Sequence, residues 1–218
     1  MGGPCRGPYP ILKAYGSDIG FRITELAVQV YGGYGYCSEY PVEQFMRDEK
    51  IASLYEGANG IQALDLVGRK LGMKKGAYFM SLLGEMNATI AKYGENPALK
   101  ELAEGVQTAV NSLAEIGMFF ATCGKEGKFL VPVANAYPFL MMMGKALSGW
   151  FLLWEAGVAA ERLGDLAEGS KDHAFYTGKI AAAKYFIKNV LPEVDAAVKA
   201  IKSEDMSVME IADEGFAS

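Results

Sequence analysis

Glu56 is the residue of this sequence best suited to acid–base chemistry. It follows the apolar positions Ile51, Leu54 and Tyr55 and immediately precedes the break Gly57-Ala58-Asn59-Gly60. The spacing predicts that it closes a helix, where a carboxylate faces the negative end of the helix dipole. That position, with apolar neighbours, disfavours the ionised form and suits a general base. A solvated glutamate at a helix end presents the same residues, so the pattern alone leaves both readings open.

A second cluster, Gly32-Gly33-Tyr34-Gly35-Tyr36, has the glycine density of a nucleotide-binding loop. It fails the dinucleotide fingerprint, because Ser38 stands where the third glycine belongs and a helical period precedes it in place of a strand. Taken by itself it is a glycine-rich turn between helices. His173 is the single histidine, and the residue three before it is Ser170, so the paired Glu-x-x-His pattern of a di-iron bundle is excluded. Cys5, Cys37 and Cys123 are odd in number and contain no C-x-x-C. They read as reduced thiols of a cytoplasmic protein, and no metal site is expected.

The elements that must position these residues are helices. Ile23, Leu26, Ala27, Val30 and Tyr31 follow the i, i+3, i+4, i+7, i+8 template, with Arg22, Glu25 and Gln29 on the other face. Gly32-Gly33 ends that helix, and Pro41 opens the next. Ile61, Leu64, Val67 and Leu71 resume the period after the break at Gly57–Gly60. Four longer helical segments follow Gly72. The first covers about 73–92. Asn96-Pro97 opens the second, with Leu99, Leu102, Val106, Ala109, Val110, Leu113, Ile116 and Phe120 on one face. The third runs from Pro138 to Leu163. The fourth starts at Ser170, and Pro192 is expected to kink it. No strand-like alternation persists. The fold class is therefore all-α, in antiparallel helical bundles, with a division into residues 1–72 and 73–218.

The 218 residues suffice for one large or two small cores, and 51% of them are hydrophobic. Twenty-one basic against 26 acidic residues give a net charge of −5. With no Lys/Arg cluster, that balance argues against a nucleic-acid partner. The opening MGGPCRGPYP lacks the basic and apolar regions of a signal peptide. The apolar stretch Val131 to Trp154 contains Asn135, Pro138 and Lys145, and its uninterrupted pieces are too short to span a bilayer. It is expected to be a buried central helix around which residues 73–218 fold, with Lys145 reaching solvent or pairing with a carboxylate.

The stretch from Ala27 to Asp48, continuing to Leu54-Tyr55-Glu56-Gly57, resembles the acyl-CoA dehydrogenases. The order A-x-Q-x-x-G-G-x-G-Y, then E-Y-P-x-E, R-D and Y-E-G is specific, and the likeness covers about residues 10–71. The remainder is similar to the extra C-terminal helical domain of the longer bacterial members, including those acting on 3-methylthiopropanoyl-CoA. Gly178-Lys179-Ile180-Ala181 and Met209-Glu210-Ile211-Ala212 carry that second likeness.

The resemblance implies an FAD-dependent oxidation of an acyl-CoA thioester. Glu56 occupies the position of the glutamate that takes the α-proton while the β-hydrogen leaves as hydride to flavin N5. Its backbone N–H would bind the thioester carbonyl, and Gly57 lies where the family contacts substrate. Gln29, Val30, Tyr31, Gly32 and Gly33 fall where the family touches the FAD of a neighbouring subunit in a homo-oligomer. Ala58, Asn59 and Gly60 fall where it also contacts flavin. Ala58 and Gly60 replace a threonine and a glutamine frequent in the family, which removes two polar side chains from that contact. The family's N-terminal helical domain and middle β-domain are not in this sequence. The chain is thus expected to be a fragment or one part of a split enzyme, retaining no FAD and no activity by itself. The alternative is a non-catalytic helical module for oligomerisation or docking. Arg47 and Asp48 are expected to hold helices together.

Overall fold

The computed structural model of the protein describes residues 9–216, and Cys5 lies outside them. Among the described residues there are helices and turns and no strand. The all-α expectation holds.

The chain opens with a long helix, α1 (Tyr9–Tyr31), followed by the short α2 (Gly33–Tyr36) and by α3 (Val42–Ala52). Gly32 makes the turn between α1 and α2 at φ 63°, a left-handed conformation open to a residue without Cβ. Next comes α4 (Asn59–Asp65), which runs into a π-helical turn at Leu66–Lys70. A 3₁₀ turn at Met73–Gly76 leads to α5 (Ala77–Gly94) and α6 (Lys100–Lys125). The short α7 (Leu130–Ala134) precedes α8 (Ala136–Leu163), the longest helix. The chain closes with α9 (Lys171–Asn189), α10 (Glu193–Lys202), the short α11 (Ser207–Glu210) and a 3₁₀ turn at Asp213–Phe216.

Helix α8 is central. It packs against α5, α6, α9 and α10 on one side and against α1 and α4 on another. Phe139, Leu140, Met142, Ala146 and Leu153 are fully enclosed, and Trp150 is buried. Phe151 and Trp154 stay half-exposed, so the helix is covered on most sides rather than all round. Lys145 pairs with Glu193 of α10, one of the two outcomes its position allowed. Gly157 admits the ring of Tyr93 from α5, because a Cβ there would lie 2.2 Å from a ring carbon. All eight apolar positions anticipated for α6, from Leu99 to Phe120, are buried against this core.

Three local expectations need correction. Pro192 does not kink one helix; it caps a second, separating α9 from α10, since it has no N–H to continue the ladder. The helix expected over 73–92 begins at Ala77, after two left-handed lysines, Lys74 and Lys75, in the preceding turn. Finally, the stripe Ile23, Leu26, Val30 and Tyr31 forms on α1 as the period requires but is not buried: Ile23 is 60% and Val30 84% exposed. Leu54, Ile61 and Leu64 are likewise exposed.

Candidate active site

The turn that carries Glu56 lies between α3 and α4, against the N-terminal half of α1. Helix α3 stops at Ala52, four residues earlier than the sequence pattern implied. Glu56 therefore belongs to the turn beyond the helix, and the helix-dipole argument for it lapses. Ser53 ends the helix with its hydroxyl donating to the carbonyl of Lys50 at 2.9 Å, and Leu54 N–H bonds back to Ile51 at 3.0 Å. The backbone then reverses through two consecutive left-handed residues, Glu56 at φ 54° and Gly57 at φ 82°. For a glutamate that conformation costs about 1–3 kcal/mol and persists only where the surroundings fix it. Ala58 is extended, and α4 starts at Asn59.

The surroundings do fix it. Gln62, from the first turn of α4, donates to the carbonyl of Glu56 at 3.2 Å. Lys13 of α1 donates to the carbonyl of Gly57 at 2.9 Å and to Asn59 Oδ1 at 2.8 Å. Asn59 Nδ2 donates to Ser17 Oγ at 2.9 Å and to the carbonyl of Ala14 at 3.2 Å. Asn59 and Ser17 are 7% and 5% exposed. With its oxygen accepting once and its amide donating twice, the Asn59 side chain makes three hydrogen bonds and has no free donor.

Both carbonyls accept side-chain hydrogen bonds, while the N–H groups of Glu56 and Gly57 have no acceptor among the described residues. The Glu56 side chain is exposed, flanked by the exposed Leu54, Tyr55 and Ile61. Beside it a groove of about 400 Å³ opens between Ala58, Gly60 and Leu64 on one wall and Val133, Ala134 and Tyr137 on the other. Helices α7 and α8 thus border the turn. Ala58 and Gly60 present little side chain to this groove, and a Cβ at Gly60 would meet no atom within 4 Å.

The second cluster lies elsewhere. Gln29, Val30, Tyr31, Gly32 and Gly33 are all exposed at the far end of α1. Ser17 abuts the Glu56 turn, and the 12 residues from Ser17 to Gln29 span about 18 Å of helix at 1.5 Å per residue. Tyr40 braces this end, meeting the rings of Tyr31 and Tyr34 edge-on at 6.0 and 5.6 Å. A single chain does not bring Glu56 and the Gln29–Gly33 segment into one pocket. Arg47 pairs with Glu43 inside α3 at 2.9 Å and does not bridge helices, contrary to expectation.

No group of three or more His, Cys, Asp or Glu side chains that could hold a metal occurs among the described residues. His173 serves through its backbone, whose N–H is capped by Ser170 at 3.2 Å. No described helix is long and apolar enough to cross a membrane.

Comparison with known proteins accounts for both halves. Residues 1–71 match the family described as acyl-CoA dehydrogenase, C-terminal domain, and residues 82–212 match acetyl-CoA dehydrogenase C-terminal like. The chain belongs to the acyl-CoA dehydrogenases. A butyryl-CoA dehydrogenase of Syntrophomonas wolfei is 35% identical over 95% of this chain and 34% of its own length. The broad-specificity linear acyl-CoA dehydrogenase FadE5 of Mycobacterium tuberculosis is 32% identical over the same shares. A 3-methylmercaptopropionyl-CoA dehydrogenase of Ruegeria pomeroyi is 34% identical over 86% of this chain and 31% of its own length. The chain spans about a third of the length of these relatives.

Lys13, Ser17 and Gln62 were not singled out by sequence reasoning. The i, i+4 spacing of Lys13 and Ser17 puts both on one face of α1, but their partner Asn59 lies more than 40 residues away. Only the fold joins them.

Proposed function

We propose that this chain is the C-terminal part of an FAD-dependent acyl-CoA dehydrogenase in which Glu56 is the general base. Membership of the family carries the reading, and the left-handed Glu56 turn supports it. A non-glycine residue kept in that conformation by three side chains on two helices fits a functional position. The substrate is an acyl-CoA thioester, contacted at Gly57. The carboxylate of Glu56 takes the proton from the α-carbon. As charge develops on the thioester carbonyl oxygen, the uncommitted N–H of Glu56 donates to it, stabilising the enolate-like form where it arises. A bound flavin would supply the hydride acceptor for the β-hydrogen, so that loss of the α-proton to Glu56 and of the β-hydride would leave the α,β-double bond.

The residues present fit one edge of a flavin site. A Cβ at Gly33 or Gly60 would meet no atom within 4 Å, so the backbone at both places is open to a ligand's approach. The exposed carboxamide of Gln29 has no partner among the described residues. Asn59 fits only through its backbone, because its side chain is engaged by Lys13, Ser17 and Ala14. In this reading Gln29, Val30, Tyr31, Gly32 and Gly33 face the FAD of a neighbouring subunit, in keeping with their distance from Glu56. Ala58 to Gly60 lie nearer the base. Residues 1–72 then complete the catalytic domain, and residues 73–218 form an additional four-helix bundle-like domain. The free thiols of Cys37 and Cys123 suit a cytoplasmic enzyme.

One observation favours a second reading, in which the chain by itself is a helical docking or oligomerisation module without activity. Ile23, Leu26, Val30, Phe45 and Leu54 are exposed apolar residues, as an interface would present. The two readings meet if that face is covered by the rest of the enzyme.

The test is Glu56→Gln in the full-length enzyme, assayed with butyryl-CoA and an artificial electron acceptor. The amide keeps the shape and cannot take the proton. Flavin content should stay at the parental value while turnover falls about 10²-fold or more. A near-parental rate would overturn the assignment of the base.

A further inference from the structure

We propose that Lys13 is a positioning residue for Glu56, acting with Asn59 as a latch that ties the catalytic turn to α1. The proposal rests on Glu56 being the general base. Lys13 is half-buried, and its ammonium takes part in no ion pair among the described residues. Its two acceptors are neutral: the carbonyl of Gly57 at 2.9 Å and Asn59 Oδ1 at 2.8 Å. A lysine usually leaves its charge in water or pairs it with a carboxylate. Here the charge is directed at the backbone next to the base, where a charge-assisted hydrogen bond is stronger than a neutral one.

Asn59 completes the connection. It begins α4, its oxygen accepts a hydrogen bond from the Lys13 ammonium, and its amide donates to the buried side of α1 at Ser17 and Ala14. The backbone N–H of Asn59 reaches back to the carbonyl of Ser53 at 3.3 Å, closing the turn from the other end. Lys13 therefore fixes the carbonyl of Gly57, the left-handed residue that directly follows Glu56, and so restrains the backbone that carries the Glu56 side chain and N–H. Without it, Gln62 still holds the carbonyl of Glu56, but nothing in α1 holds that of Gly57. The turn then regains freedom at its second left-handed residue, and the carboxylate loses its fixed approach to the α-carbon. Small displacements of that kind cost large factors in rate while leaving binding little changed.

The experiment compares parental enzyme, Lys13→Met, Lys13→Arg, Asn59→Ala, the Lys13→Met/Asn59→Ala pair and Glu56→Gln, all in the full-length flavoprotein. Butyryl-CoA and its α-deuterated form serve as substrates. For Lys13→Met the expected result is kcat lowered about 10-fold or more, with KM and flavin content within twofold of parental. The isotope effect on kcat should rise, because α-proton removal becomes slower relative to other steps. Lys13→Arg, which keeps a cationic donor, should recover part of the rate. The double variant should be no slower than the worse single, as for two members of one network. Unchanged kcat and isotope effect in Lys13→Met, beside an inactive Glu56→Gln, would overturn the latch while sparing the base. An active Glu56→Gln would instead remove the base assignment on which the latch rests. If Lys13→Met loses its flavin, Asn59→Ala carries the same test, and a parental kcat there overturns the proposal.

Discussion

Tyr15 occupies the space that Gly144 leaves by having no side chain. A Cβ on Gly144 would lie 2.2 Å from the ring carbon Cγ of Tyr15, far inside contact distance. This close approach joins α1, whose N-terminal half supports the Glu56 turn, to α8, the centre of the bundle. The placement of the Glu56 turn is thereby coupled to the packing of the C-terminal helices.

Gly144→Ala should consequently destabilise the chain. The added methyl has no room unless the Tyr15 ring moves, and overpacking of that kind costs about 1–3 kcal/mol. Urea unfolding followed by circular dichroism measures it, as a lower midpoint at unchanged slope. An unchanged midpoint would mean that α1 and α8 do not meet at this place.

The contrast between α6 and α1 explains what a sequence of this kind discloses. On α6 the eight apolar positions are covered by helices of the same chain, so period and burial coincide. On α1 the stripe Ile23, Leu26, Val30 and Tyr31 is equally regular and lies in the open. Periodicity records which face a helix buries in its final assembly, and that assembly need not be contained in one chain. The site divides in the same way. A break near Gly57 was legible because glycine punctuates helices, but it falls at residues 53–58, and Asn59 and Gly60 already belong to α4. The left-handed Glu56 was not, since ordinary residues enter that region only under tertiary restraint. Asn59 entered only through the resemblance, as a flavin contact, and its part as a linker to Lys13 and Ser17 depends on contacts across 42 to 46 positions.

The 218-residue chain on its own is expected to hold no flavin. Its candidate contacts form two groups, Ala58–Gly60 packed beside Ser17 and Gln29–Gly33 about 18 Å further along α1, and the second group is wholly exposed. A tightly held cofactor needs most of its surface covered. Incubation of the purified chain with FAD, gel filtration and an absorbance reading near the flavin band make the measurement. Stoichiometric yellow protein after filtration would show that these residues suffice and would remove the argument for a shared site.

A pH dependence follows from Tyr137, at the start of α8 beside the groove. Its hydroxyl donates to Asp18 Oδ2 of α1 at 2.6 Å. Burial, then that hydrogen bond, then the negative charge of Asp18 push the phenol from its ordinary 10 up to about 12. The raised value means that the folded protein holds the phenolic proton more tightly than the unfolded chain. The stabilisation is fully present below pH 10 and is lost as the pH rises through about 12. Tyr137 is 42% exposed, so water screens the interaction and its contribution is modest. Tyr137→Phe should lower the urea midpoint slightly at pH 8, and the gap to the parental chain should narrow between pH 10 and 12. Comparing the two chains at each pH cancels every contribution that they share. A gap that stays constant from pH 8 to pH 12 would show that Tyr137 does not bridge α8 to Asp18, and the hydrogen bond between the two parts of the chain would have to be withdrawn.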